Sequence, residues 1–362
     1  MATAPQPDLL DAARREFERA MARNIKGLGY FTSPAPVLGA SPKEVLIERG
    51  TMRLYRYRSH VDDVYRVPIL LVMATTNRGY IFDMAPGQSL VEYLLDAGFD
   101  VFMLDWAPPR ADEKSLTLES YVLGFLPEAV ARVAAETGER DVSVIGYCFG
   151  GVLSLLWAAL EGAGQNSRQR LANLVTFTTP VDFSRMDMFQ AWADRRFFDV
   201  DRLVDTFGNC PGDYLYTAFD MLRPGTRATT IARVYEGLHD DEYVRSFRMF
   251  DRWATDILPL AGEYFRQTTK LLMWENRLLG GTLEVGGRRV DLRAITAPFL
   301  HVAAQHDHIV PTEASAPLLG MVGATDKEEV VLKGGHVSLV AGGNAVKRLW
   351  PKLNGWLGKR ST

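Results

Sequence analysis

Cysteine is almost missing from this chain: its 362 residues include two, Cys148 and Cys210. Two thiols make no disulfide framework and are too few for a structural zinc site, so a reducing, cytoplasmic setting is expected. Excess charge of either sign is lacking too. A formal net charge of −3 offers no basic footprint for nucleic acid. No apolar run approaches the roughly 20 residues of a membrane-spanning helix; the longest, such as "VPILLVMA", are strand-sized, and no membrane span is expected. The N-terminal "PDLLDAARREFERAMARNIKGLGYF" mixes acids and bases and lacks the apolar core of a signal peptide. Leu10, Ala13, Phe17 and Met21 recur there at helical spacing, which predicts an amphipathic surface helix that docks on the protein.

What is present is an ordinary globular composition, 47% apolar and 23% charged. Two short alternating runs, "EVLIER" and "MRLYRYR", meet at Gly50 and predict an antiparallel pair at a sheet edge. From residue 67, apolar strands alternate with helices: "VPILLVMA", "QSLVEYLLDAG", "DVFMLDW", "LESYVLGFLPEAVARVAAETG", "VSVIG", "FGGVLSLLWAALEG", "LANLVTFTTP". Continuous apolar strands separated by helices mean a mostly parallel sheet covered on both faces, an α/β fold. After Pro180 the rhythm stops, and residues 183–290 are mostly aromatic-rich helix. Strands return in "APFLHVAA" and "EEVVLKG", before a final helix. The expected organisation is a core of residues 1–182 and 291–362, interrupted by a helical cap over 183–290.

Cys148 sits between a strand and a helix in "GYCFGG", residues 146–151. Strand, Gly-x-Cys-x-Gly, helix is the form of a nucleophile elbow, which holds one reactive side chain out at the carboxyl end of a sheet. The helix N-terminus favours the thiolate, and the backbone N–H of Phe149 is free to face a developing oxyanion. The bland alternative is a small buried cysteine in a glycine-rich turn. The rest of the chain argues against it. In this fold the nucleophile is followed by an acid and then a histidine, each on a loop after a strand. Asp307 follows "APFLHVAA", and His336 follows "EEVVLKG". Of the other histidines, His60 and His239 lie in polar segments, and His301 reads as a satisfied core residue. His306 and His308 flank the acid with no further ligand cluster, so no metal is expected. The second oxyanion donor belongs to the loop Thr75-Thr76-Asn77-Arg78, with Thr75 the preferred amide. The fold class is therefore the α/β-hydrolase fold with an inserted helical cap.

Sulfur in place of the usual serine has a chemical reason. A thiolate attacking a coenzyme A thioester makes another thioester, so the acyl group stays activated for transfer to an alcohol. At these residues the chain resembles the polyhydroxyalkanoate synthases, from "SPKEVLIERG" to the last helix. "GYCFGG" is similar to that family's lipase-like box with cysteine for serine. "NRGYIFD", "FDVFMLDW", "TPVDF", "DHIVP" and "GGHVSLV" resemble further blocks in the same order. Its length is similar to the short classes, in which the catalytic subunit works with a second subunit, although "LLMWENR" looks more like the long classes.

The resemblance implies polymerisation of (R)-3-hydroxyacyl-coenzyme A with release of coenzyme A, which the substrate carries, so no resident cofactor is expected. Cys148 would take the acyl group and His336 would deprotonate the thiol. Asp307 would either orient His336 or act as base on the incoming 3-hydroxyl. A homodimer or a complex with a second subunit, at the surface of cytoplasmic polyester granules, is expected. Two alternatives stand beside this reading: a cysteine hydrolase of the dienelactone hydrolase type, and a non-catalytic granule-binding protein.

Overall fold

The computed structural model describes residues 9–362 except residues 60, 163–169 and 223–225; His60 therefore lies outside the described residues. Contacts divide the chain into two compact units. The smaller comprises residues 1–37 with 223–255, and the larger residues 38–222 with 256–362.

The smaller unit is helical. It contains α1 (Leu9–Thr32), which in the larger unit's chain order precedes α2 (Leu90–Asp96), α3 (Leu126–Thr137), α4 (Phe149–Trp157), α5 (Asp187–Trp192), α6 (Val200–Phe207) and α7 (Gly212–Met221). The smaller unit resumes with α8 (Thr226–Gly237) and α9 (Asp241–Thr255). Polar contacts join its pieces: Lys26 Nζ meets Asp241 at 2.8 Å, and Arg248 Nη2 donates to the carbonyls of Ser33 and Pro34 at 2.8 Å. The amphipathic helix expected at the N-terminus is present as α1, but Phe17, Met21 and Ile25 stay exposed on it.

The larger unit is built on an eight-stranded sheet. Its strands are β1 (Lys43–Arg49), β2 (Met52–Tyr57), β3 (Ile69–Val72), β4 (Val101–Trp106), β5 (Asp141–Tyr147) and β6 (Arg170–Phe177). After a small hairpin, β7 (Glu284–Val285) and β8 (Arg288–Arg289), follow β9 (Phe299–Ala304) and β10 (Lys327–Leu332). The order is β1-β2-β4-β3-β5-β6-β9-β10. β1, β2 and β4 pair antiparallel, and every pairing from β4 to β10 is parallel. β3, β4 and β5 are buried throughout because helices cover both faces, which explains their unbroken apolar sequence. β1 is the exposed edge, and its Lys43, Glu44, Glu48 and Arg49 oppose edge-to-edge pairing.

The helix read in residues 118–138 starts as a π-helical stretch, Ser120–Phe125, before α3. The wider turn accommodates Pro127, which has no N–H to give and would clash inside a regular helix. The chain's division also falls at points other than the expected 183 and 290. Residues 183–222 and 256–290 belong with the sheet, while 223–255 join α1. The physical reason is local. Cys210 and Leu260 form an antiparallel bridge, as do Asn77 and Ile257, tying both flanks of the helical stretch to the larger unit. Asn276 also closes on the chain leaving β6, with Nδ2 donating to Asp182 Oδ1 at 2.8 Å and its own Oδ1 accepting from the Phe183 N–H at 3.0 Å.

Candidate active site

Cys148 occupies the turn between β5 and α4 with φ 54° and ψ −120°, a conformation that non-glycine residues rarely adopt. Strain of this kind persists only where the surroundings enforce it. Here the Cys148 N–H donates to the Phe177 carbonyl at the end of β6, at 2.8 Å. The flanking glycines permit the close packing. A Cβ on Gly146 would lie 2.5 Å from Gly151 Cα, and one on Gly150 would lie 2.3 Å from the Val72 carbonyl oxygen. The elbow is thus seated directly on the end of β3. Phe149 opens α4, so its N–H belongs to the first turn, which has no intrahelical partners.

The loops after β9 and β10 bring Asp307 and His336 together. Backbone bonds from Gln305 to Leu332 and from His306 to Gly334, both 2.8 Å, hold the loops side by side. His336 Nδ1 and Asp307 Oδ2 are 2.7 Å apart, and both side chains are buried. Asp307 Oδ1 accepts from the N–H groups of Ile309 and Val310, at 2.9 and 2.8 Å. Both carboxylate oxygens are thereby committed. Burial is the largest influence on His336 and opposes its charge. Asp307, and Cys148 by charge and hydrogen bonding, outweigh it and lift the imidazole pKa to about 10. His336 and Asp307 are thus a buried pair at the carboxyl end of the sheet, with Cys148 acting on the imidazole by charge and hydrogen bonding.

Other candidates fall elsewhere. His301 is buried on β9, and Thr176 Oγ1 meets its Nδ1 at 2.9 Å. Its Nε2 has no partner among the described residues, so it is a core histidine only half satisfied there; burial drives its pKa down to about 4. His306 and His308 are exposed on either side of the buried Asp307, and His239 lies half-buried in the smaller unit, against the Glu236 carbonyl. Thr75 is buried beyond the end of β3, its hydroxyl 3.1 Å from the Tyr264 hydroxyl.

Two tyrosines at this site escaped the sequence reading. The Tyr147 ring lies 5.1 Å from the His336 ring, between centroids, and its buried hydroxyl has no partner among the described residues. Its position just before the nucleophile was a usable signal, because strand alternation turns it away from Gly146. Tyr264, on α10 (Gly262–Gln267), touches Thr75 and stands edge-on to Phe149 with centroids 6.0 Å apart. No local pattern in "LAGEYF" announces that contact.

A strained cysteine elbow and a buried acid–histidine pair, on a sheet of this order, define a protein of α/β-hydrolase fold. The model for that fold matches residues 68–342. A carboxylesterase structure from Nitrososphaera gargenis shares the fold, with TM-score 0.52 and 15% identity, covering 88% of this chain and 98% of that one. Within that class the chain belongs to the poly(3-hydroxyalkanoate) polymerase family. It is 33% identical over 359 residues to the poly(3-hydroxyalkanoate) polymerase subunit PhaC of Allochromatium vinosum, covering 98% of each chain. It is 30% identical to the corresponding subunit of Haloferax mediterranei, covering 97% of this chain and 72% of that protein. The model of the poly-beta-hydroxybutyrate polymerase N-terminus matches residues 36–94.

Proposed function

We propose that this chain is an acyltransferase that polymerises (R)-3-hydroxyacyl units from coenzyme A thioesters, with Cys148 as the acyl carrier. The observation that carries the reading is the buried His336–Asp307 pair, 2.7 Å apart and coupled to Cys148, in a chain of this family. With the Cys148 proton already held on His336, the sulfur attacks the thioester carbonyl carbon as a thiolate. The N–H groups of Phe149 and Thr75 receive the oxyanion. As the tetrahedral adduct collapses, the carbon–sulfur bond to coenzyme A breaks and His336 returns the proton to the leaving thiolate. The 3-hydroxyl of another unit then loses its proton to His336 and attacks the new thioester. An ester bond forms, the acyl carbon–sulfur bond to Cys148 breaks, and the Cys148 thiolate is left beside His336, which keeps the proton. Coenzyme A arrives with substrate and departs as product, so the cycle needs no resident cofactor.

Asp307 acts in this reading by orienting His336 and stabilising its charge, because both of its oxygens are already engaged. Residues 183–222 and 256–290, which share the larger unit with the site, act as a cap that excludes water, which limits hydrolysis of the acyl-enzyme. Within residues 183–290 Met188, Phe197, Phe207, Met221, Ile231 and Tyr235 are exposed, Phe197 to 86%. Such apolar surface favours self-association or a second subunit, and the working form is proposed to be a homodimer or such a complex at a granule surface. Among the described residues no helix is long and apolar enough to cross a membrane.

The test is product analysis with 3-hydroxybutyryl-coenzyme A. The proposal requires coenzyme A release accompanied by insoluble polyester. Stoichiometric free 3-hydroxybutyrate without polymer, in the presence of any partner subunit, would favour the cysteine-hydrolase reading. No coenzyme A release at all would favour a non-catalytic granule-binding protein.

A further inference from the structure

The loop from Met73 to Tyr80 carries the proposed Thr75 donor, yet only its last residues, from Gly79, enter a regular turn. It is held from two sides. On the sheet side, Trp106 Nε1 donates to the Met73 carbonyl at 2.9 Å, and Asp105 Oδ1 accepts from the Gly79 N–H at 2.8 Å. On the other side holds come from one short segment far away in sequence. The Leu258 N–H donates to the Thr76 carbonyl at 2.7 Å, and Ile257 bridges Asn77. The Tyr80 hydroxyl donates to Asp256 Oδ2 at 2.8 Å, and Arg78 Nε lies 3.6 Å from Asp256 Oδ1. Tyr264 completes the series at the Thr75 hydroxyl, 3.1 Å away.

We infer that residues Asp256–Tyr264 form a strap that positions the oxyanion loop, with Asp256 and Tyr264 as its positioning residues. The inference rests on the reading of Thr75 as an oxyanion donor. Asp256 grips the loop after Thr75 and Tyr264 grips it at Thr75, while Leu258 fixes the intervening peptide. The loop is thus held at the Thr75 side chain, the Thr76 carbonyl and the Arg78 and Tyr80 side chains, beside the amide that must meet the developing charge. Displacement of such a donor by about 1 Å is enough to cost a large factor in rate. The Asp256–Arg78 pair is partly exposed, with side chains 41% and 30% accessible. An exposed ion pair contributes little to global stability, so the loss of Asp256 should appear in loop placement and not in unfolding.

The experiment uses the full-length protein with Asp256→Ala, Asp256→Asn and Tyr264→Phe. Three rates are read: single-turnover acylation of Cys148 by 3-hydroxybutyryl-coenzyme A, alkylation of Cys148 by iodoacetamide, and hydrogen–deuterium exchange of a peptide spanning residues 75–80. Alkylation forms no oxyanion, so it reports on sulfur and histidine alone. Asp256→Ala is expected to slow acylation by about 10- to 100-fold, to leave alkylation unchanged and to speed exchange of the loop. Asp256→Asn keeps an acceptor for Tyr80 but loses the charge facing Arg78, so it should fall between. Tyr264→Phe should slow acylation with the fold intact. Unchanged acylation in both Asp256→Ala and Tyr264→Phe overturns the inference, as does alkylation that falls in parallel with acylation in Asp256→Ala. If the parent itself is not acylated by the thioester, the polymerase reading fails. Exchange then decides the strap alone: faster exchange in Asp256→Ala supports it, and unchanged exchange overturns it.

Discussion

Asp307→Asn removes the charge that opposes the burial of His336 while keeping the shape of the side chain. In the parent, burial disfavours the imidazolium, but Asp307 and Cys148 lift its pKa to about 10. The sign is clear: a raised histidine pKa means the charged form is held at neutral pH and lost only as pH climbs through about 10. Without the carboxylate, Cys148 alone opposes burial, and the pKa should fall toward the ordinary value of about 6.5. At about pH 7.5 much of the imidazole would then be neutral, whereas nearly all of it is charged in the parent. An imidazolium beside sulfur favours the reactive thiolate. Alkylation of Cys148 by iodoacetamide should therefore fall at that pH, by on the order of 10-fold. The parent imidazolium persists until pH climbs toward about 10, so the variant rate should depend more steeply on pH from about 7 to 9 than the parent rate. Cys210 does not confuse the assay, because it is fully buried and burial pushes its thiol up to about 12. An Asp307→Asn protein that alkylates at the parent rate with the parent pH profile would refute the coupling of these three groups.

Cys148→Ala should abolish turnover, while Cys210→Ala, in a buried turn with no base beside it, should keep most of it; coenzyme A release measures both. Gly150→Ala would press a methyl group to 2.3 Å from the Val72 carbonyl and 2.7 Å from Met73 backbone atoms, none of which is a flexible side-chain end. A loss of about 1–3 kcal/mol in chemical denaturation is expected, and an unchanged midpoint would mean that the elbow is less tightly seated than described. Asp105 is buried, and desolvation raises its carboxyl pKa to about 6 against the lowering effect of the Trp106 and Gly79 amides. Its charged form therefore opposes folding above that pH, and protonation relieves the cost as pH falls from about 6 to 4. Asp105→Asn keeps an acceptor for Gly79, so it should gain up to about 3 kcal/mol at neutral pH and lose that gain near pH 4; a destabilised variant at neutral pH would contradict this. Finally, the isolated chain should self-associate or show a lag relieved by a partner, and a monomer fully active from the first seconds would refute that.

The sheet was legible because its strands are buried on both faces. "VPILLVMA", "DVFMLDW" and "VSVIG" have no polar face to hide their identity, and each forms a buried strand with at least one parallel neighbour. The positions of Cys148, Asp307 and His336 were legible from turn chemistry and strand order, since each follows a recognisable strand. What stayed hidden depends on distance in sequence. Thr75 and Tyr264 lie 189 positions apart, and no periodicity couples a tyrosine on a helix to a loop that far away. The boundary of the helical insertion was hidden for a related reason. A run of aromatic helices reads as one block, yet which helix packs on which is decided by tertiary partners: 223–255 finds α1, whereas Leu258 and Leu260 find the core unit. His301 shows the same limit, as its apolar strand context revealed burial but not that Nε2 would lack a partner.

The claim that Cys148 carries the growing chain is tested most directly by trapping it. The enzyme is mixed with a slight excess of 3-hydroxybutyryl-coenzyme A, quenched in acid within the first turnover, digested and analysed by mass spectrometry. The account predicts one or more 3-hydroxybutyryl units in thioester linkage on the peptide containing Cys148, removable by hydroxylamine, and none when His336 is replaced by alanine. Coenzyme A release at the full rate with Cys148 unmodified, or acyl groups on any other residue in its place, would contradict it.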